Sequence, residues 1–364
     1  MAGDLQKPAF GLDRPTWLRL ADTVDLIVHP AALVNHALPY DEMFGTNVAG
    51  TAELIRLAMT RRLKAFTYIS TFAVVSSQSS TADEDADIRL SSPVRRLDQS
   101  YANGYITSKW AGEVLLREAH EQCGLPVVVL RPGMIMAHRR YAGQLNVPDV
   151  FTRLLISVVV TCTAPRSFYR SRGAHYDGLP VDFLAEAVVA LGQRKADGYH
   201  TFNALNPHDD GISLDVVIDW LIEARCAIER IDDYKEWFTR LETAVRVLPQ
   251  RQRQHSLLPL LHAYAEPQEA VGGLGLPPSD RVRAAVREAR TGVSGGIPPF
   301  SFPDPKVCRR SASAGSDRDG GSGRRPRPHP GTRRRPPMTW RRLPACGRPP
   351  NVGAGEDVGA REEL

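Results

Sequence analysis

The 364-residue chain is poor in the features that mark export, membrane insertion or metal binding. No apolar stretch approaches the roughly 18–20 residues of a membrane span, and the opening MAGDLQKPAF lacks the cationic start and apolar run of a signal peptide. Its five cysteines, Cys123, Cys162, Cys226, Cys308 and Cys346, form no Cys-x-x-Cys pair and have no histidine at ligand spacing. That pattern argues against structural zinc and for a reducing, cytoplasmic setting. Net positive charge is also missing from most of the chain. Of the net +5, residues 308–350 carry +10 and residues 351–364 carry −3, which leaves −2 for residues 1–307. The body is mildly acidic, so neither a specific nucleic-acid surface nor a membrane surface is expected. The basic end is at most a salt-sensitive polyanion contact.

What is present suits a packed core. Apolar residues at 42% and charged residues at 24% lie near the ordinary globular values of about 45–50% and 25%. Short apolar runs at residues 24–30, 65–70, 126–133 and 199–205 read as buried parallel strands. Between them lie helical patterns at residues 41–63, 101–123 (with Gly124 as a stop) and 181–191, and an acid-rich loop at about 76–100. Alternating strands and helices predict a doubly wound α/β sheet. Residues 213–265 read as mostly helical, with a further helix at 281–290. From about Gly292 the chain turns to Gly, Pro, Ser and Arg, which cannot bury enough apolar surface to offset ordering, so disorder is expected. The expected organisation is therefore 1–210 (with substrate-side insertions at about 138–180), 211–291 as a helical subdomain, and a 292–364 tail.

The chemistry-bearing pattern is Tyr105-Ile-Thr-Ser-Lys109 at the head of a helix. Residues four apart share a helix face, so an ammonium is expected near the phenol, where it would lower a pKa of about 10 and make the tyrosine a proton donor and acceptor. Alone, the pair is as well explained by an ordinary helix surface. Tyr68-Ile-Ser-Thr71, closing the preceding strand, adds a hydroxyl at the carboxyl edge of the sheet, where open α/β sheets bind ligands. Thr71 is the candidate catalytic hydroxyl, and Ser70 is expected to support the turn.

These residues, with the strings FGTNVAGTAE (44–53), YANGYITSKWAGE (101–113), LRPGMIMA (130–137), YAGQLNVPDVFTRL (141–154) and AHYDGLPVDFLAEA (174–187), resemble the thioester reductase domain of carboxylic acid reductases and ligase–reductase fusions. That domain belongs to the extended short-chain dehydrogenase/reductases. The resemblance covers about residues 1–290. It implies that Thr71, Tyr105 and Lys109 are catalytic and also touch NADPH. It further implies that Asp4 and Leu5 sit by the adenine, that His29, Pro30, Ala31 and Ala32 line the cofactor, and that Pro132 and Gly133 face the nicotinamide. Asn47 matches the family's helix asparagine, although an ordinary helix contact would explain it too. Asp177, Asp182 and Glu186 are expected to be structural, and His36 to be a polar group at a helix start. The implied substrate is an acyl thioester on phosphopantetheine, presented by a carrier domain and reduced to an aldehyde; no metal is implied.

The chain departs from that family at both ends. The family's Gly-rich phosphate turn and its first three strands would precede Met1, so the expected sheet is a partial Rossmann fold with weak NADPH binding and no measurable turnover. The Arg/Gly/Pro-rich end is expected to follow a frameshift. Two other readings stay open at this stage: a non-catalytic truncated remnant, and a nucleotide-sugar epimerase or dehydratase of the same superfamily, against which YAGQLN and YDGLPVDF speak.

Overall fold

The computed structural model describes residues 1–75, 83–92, 96–98, 100–137, 148–194, 197–208, 210–270 and 279–289. The expected disordered tail (292–364), the YAGQLN string and part of the acid-rich loop lie outside the described residues.

Four parallel strands form the central sheet in the order β1-β2-β3-β7: β1 (Leu26–His29), β2 (Ala65–Ile69), β3 (Val127–Pro132) and β7 (Tyr199–Ala204). Their registers pair His29 with Tyr68, Ile69 with Leu130 and Pro132 with Ala204, so the carboxyl ends of β1, β2 and β3 lie side by side. β3 is buried along its whole length and β2 along most of it, as continuous apolar runs require in a helix-covered parallel sheet, whereas β1 at the edge leaves Val28 39% exposed. On one face Phe66, Tyr68, Val127 and Val129 pack under α1 (Arg14–Thr23), α3 (Gly50–Met59) and α5 (Asn103–Cys123). On the other, Val128, Leu130, Phe202 and Ala204 pack with α7 (Val181–Arg194) and α11 (Asp280–Ala289). Between β1 and β2, the stretch expected as one helix divides into α2 (Tyr40–Met43), a π-helical turn (Phe44–Ala49) and α3. Single π turns are frequent at functional sites.

Local chemistry fixes the helix ends. Asp13 accepts from the Thr16 amide at 2.8 Å to start α1, and Gly124 ends α5 in the left-handed region, φ +68°, donating to the His120 carbonyl at 2.7 Å. Lys64 is buried and donates to the Thr60 and Arg62 carbonyls at 2.8 and 3.0 Å, the role expected of a cation after a helix. α5 approaches β2 closely because Gly112 has no side chain: a Cβ there would lie 2.2 Å from the Tyr68 hydroxyl.

A separate cluster surrounds Trp237. It joins α6 (Val150–Thr161), α8 (Leu214–Glu223), α9 (Tyr234–Val247) and the 3-10 segment Leu258–Tyr264. Its residues come from both sides of position 210. Two short parallel strand pairs stitch this region together: β4 (Met134–Met136) with β6 (Gly178–Pro180), and β5 (Thr163–Pro165) with β8 (Glu229–Ile231). The periodicity of residues 213–265 does not reveal β8, because a three-residue strand is too short to imprint an alternation. α4 (Ile88–Ser91) and α10 (Gln250–Arg253) complete the helices named here.

Candidate active site

Thr71 follows β2 at the carboxyl edge of the sheet, half-buried, where its hydroxyl accepts from the Ala73 amide at 3.4 Å. The turn it opens packs through Phe72 and Val74 against Ile106 and Trp110 of α5, which brings Thr71 beside the first turn of that helix. Tyr105 and Lys109 lie on those turns.

Lys109 is 2% exposed. Its ammonium does not act as the spacing suggests. Nζ lies 4.2 Å from the centre of the Tyr68 ring, and burial brings its pKa down to about 7, with the Glu113 carboxylate pulling the other way. Tyr105 is pushed up to about 12 by burial and by the charge of Asp149. The expected lowering of the Tyr105 pKa is therefore absent: without a ligand, the site holds a neutral phenol and a lysine close to its deprotonation point. The reason is packing. Gly112 draws α5 onto Tyr68, so the aromatic face lies where the lysine stem ends.

His29 is 2% exposed at the end of β1, with Nε2 3.0 Å from the Thr51 hydroxyl. Burial and the Lys109 charge lower its pKa to about 3, so it stays neutral. Pro30 and Ala31 are exposed and Ala32 is half-buried, leaving little side-chain bulk above the sheet edge. Leu5 rests on Gly50, where an added Cβ would meet its Cβ at 3.0 Å. Asp4 is exposed and engages the Gln6 amide at 3.0 Å and Lys7 at 3.7 Å. Both lie by α3, one helix away from Tyr105 and Lys109.

Asn47, buried in the π turn, ties these pieces together. Its Oδ1 accepts from the Leu33 amide at 2.7 Å. Its Nδ2 donates to the Leu33 carbonyl at 3.1 Å and to the Ser108 hydroxyl at 2.9 Å. Ser108 in turn donates to the Tyr105 carbonyl at 2.8 Å. The loop after β1 is thus tied to the helix that carries Tyr105. On the β3 side, Gly133 is needed because a Cβ would come within 1.5 Å of an Asp177 oxygen. Asp177, raised to about 6 by burial, accepts from the Asn206 amide at 2.7 Å. This structural role agrees with the expectation for Asp177.

Two groups escaped the sequence reading. Ser70 does not merely support a turn: it is buried and donates to Glu113, which forms a bidentate ion pair with Arg131, Nη2 to Oε2 at 2.6 Å, at 0% and 2% side-chain exposure. The charge of Asp149 favours the protonated forms of His36, Tyr101 and Tyr105. A partner 18 residues away across the sheet, or a carboxylate arriving from the next helix, leaves no local signature.

The parallel sheet, with Thr71 after β2 and Tyr105 and Lys109 on the first two turns of α5, has the layout of a nicotinamide-binding reductase fold, in which the ligand lies at the carboxyl edge. The buried Lys109, held near neutrality, fits a polyhydroxyl ligand able to accept its hydrogen bonds, and the low-bulk walls at Pro30–Ala32 fit a ring laid over the sheet.

Residues 1–188 match the NAD-binding family described as male sterility protein. The reductase domain of a nonribosomal peptide synthetase from Mycobacterium tuberculosis superposes with a TM-score of 0.77 at 51% identity, over 86% of this chain and 75% of that one. Carboxylic acid reductases of Mycobacterium marinum and Mycobacterium tuberculosis are 56% and 57% identical over 310 and 309 residues. These matches cover 83% and 82% of this chain and 26% of each relative, so the chain spans about a quarter of their length. The chain belongs to this family of NAD-binding reductase domains. At such identity the nucleotide-sugar epimerase alternative is set aside.

Proposed function

We propose that the chain carries the chemistry of a thioester reductase, converting an acyl group held on a carrier's phosphopantetheine thiol to the aldehyde at the expense of NADPH. The observation that carries this reading is that the turn opened by Thr71 packs with Ile106 and Trp110 of α5, the chain neighbours of Tyr105 and Lys109, at the carboxyl edge of the sheet. Its resemblance to carboxylic acid reductases over 82–83% of the chain supports it.

When bound, the reduced nicotinamide supplies hydride. Lys109 would hold its ribose, His29 through Ala32, Pro132 and Gly133 would line it, and Asp4 and Leu5 would meet the adenine. As hydride reaches the thioester carbon, Thr71 and Tyr105 donate hydrogen bonds to the carbonyl oxygen, and Tyr105 gives its proton to the developing oxyanion. Its pKa near 12 keeps that proton in place until then. Preorganised donors of this kind are worth roughly 3–4 kcal/mol each. The hemithioacetal then loses its hydroxyl proton as the C–S bond breaks, leaving aldehyde and free thiol. A ligand that keeps Lys109 charged would ease proton loss from Tyr105.

The test incubates the chain with NADPH and an acyl-pantetheine thioester. This reading replaces the expectation of no measurable turnover drawn from the sequence: equal amounts of oxidised cofactor, aldehyde and free thiol are expected. NADPH binding without aldehyde contradicts the proposal; no NADPH binding at all favours the non-catalytic remnant.

A further inference from the structure

Glu113 lies on α5 four residues after Lys109, so the two share a helix face one turn apart. Its side chain is fully buried, and both carboxylate oxygens are engaged from neighbouring strand ends. Oε1 accepts from the hydroxyl of Ser70, the residue after β2, and from Arg131 Nε at 3.1 Å. Oε2 accepts from Arg131 Nε at 3.2 Å and Nη2 at 2.6 Å. The Ser70 amide also donates to the Leu130 carbonyl at 2.7 Å, which joins the same two strand ends through the backbone.

Every member of this buried node adjoins a candidate site segment. Thr71 follows Ser70, Pro132 and Gly133 follow Arg131, and Lys109 precedes Glu113 by one helical turn. Stability alone does not call for charge here, since an apolar pair of similar volume is often as stable as a buried ion pair. What the ionic version adds is direction. Ser70 Oγ and the Nε and Nη2 of Arg131 fix the carboxylate in one orientation, and through it the spacing of β2, β3 and α5. Among the described residues, Arg131 Nη1 is buried with no hydrogen-bond partner, which leaves the guanidinium anchored from its Glu113 side.

We propose that Glu113 is a positioning residue for the reduction, holding the Thr71 turn and the Lys109 turn of α5 at a fixed spacing across the carboxyl edge of the sheet. Ser70 is the arm that reaches the Thr71 turn, and Arg131 the arm that reaches Pro132 and Gly133. Being fully buried, Glu113 acts through these neighbours and not on a ligand. The inference rests on the thioester-reductase reading, but the first of its two readouts needs no turnover.

Two variants of the full chain cut the Ser70 arm in different ways. Ser70→Ala leaves the ion pair in place, and Glu113→Leu with Arg131→Met removes both charges together. The amides of Ala73, Val74 and Val75, which close the Thr71 turn, are followed by hydrogen exchange, with α9 in the separate Trp237 cluster as the internal reference. They should exchange about 10- to 100-fold faster in both variants while α9 keeps the parent rate, because a hydrogen bond to a charged group no longer holds the turn. With NADPH and an acyl-pantetheine thioester, kcat should fall about 10- to 100-fold in both, and Ser70→Ala should keep the parent Kd for NADPH. A purely structural node would slow neither variant once folded. Parent-like exchange of these amides in either variant overturns the proposal, and so does a parent-like kcat in either. Faster exchange in both, with no aldehyde formed even by the parent chain, overturns the reductase reading and the positioning role with it.

Discussion

Replacing Glu113 by glutamine should destabilise the fold severely while leaving side-chain volume almost unchanged. Arg131 is 2% exposed and Glu113 0%, and their bidentate contact at 2.6 Å supplies the counter-charge of a guanidinium under the sheet edge. Glutamine would leave that charge buried beside a neutral amide, an arrangement that costs about 3–5 kcal/mol when one partner of a buried pair is removed. Ser70, which donates to Glu113, would offset little of this because a hydroxyl carries no charge. At about 2–4 °C per kcal/mol for a domain of this size, the melting temperature should fall by about 6–20 °C. Thermal unfolding followed by circular dichroism reads it. Removing both charges, as Glu113→Leu with Arg131→Met, should recover much of the loss, since an apolar pair of similar volume is often as stable as the ion pair. A single Glu113→Gln variant within about 1 kcal/mol of the parent by denaturant titration would refute the reasoning and imply that water or another anion serves Arg131.

Other substitutions test the packing around the same helix. Gly112→Ala should cost about 1–3 kcal/mol by driving a methyl into Tyr68, and Tyr68→Phe should relieve part of that cost because the clash is with the hydroxyl. Lys109 has a folded pKa near 7 and an unfolded value of about 10.4, so the unfolded chain binds more protons between these limits. Stability should therefore rise with pH from about 7 towards 10, by up to about 1.4 kcal/mol per unit. That rise should be missing from Lys109→Met in urea titrations at successive pH values. Asn47→Ala leaves the Leu33 amide and carbonyl and the Ser108 hydroxyl without this partner, and should cost about 1–3 kcal/mol.

The strands were legible because each is a short apolar run closed by Pro, Gly or a polar cluster, and all four pair in parallel as alternating strands and helices imply. The helix bearing Tyr105 was legible from its length and from Gly124. Other features depend on partners distant in sequence. Nothing near Lys109 says that its stem ends on the face of Tyr68, because that depends on how closely Gly112 lets two elements approach. The break at Phe44–Ala49 is hidden because a π turn shares most of the helix periodicity. Asp149 reads locally as a helix cap, which it is; its charge acts on Tyr105, 44 residues earlier in the chain, and so leaves no local signature.

The central claim is that Tyr105 delivers the proton in thioester reduction. It is tested most directly by comparing the parent chain with Tyr105→Phe in aldehyde formation from an acyl-pantetheine thioester at saturating NADPH. Loss of one oxyanion donor should lower kcat about 100- to 1000-fold with little change in NADPH binding. Aldehyde formation by Tyr105→Phe at the parent rate would contradict the account.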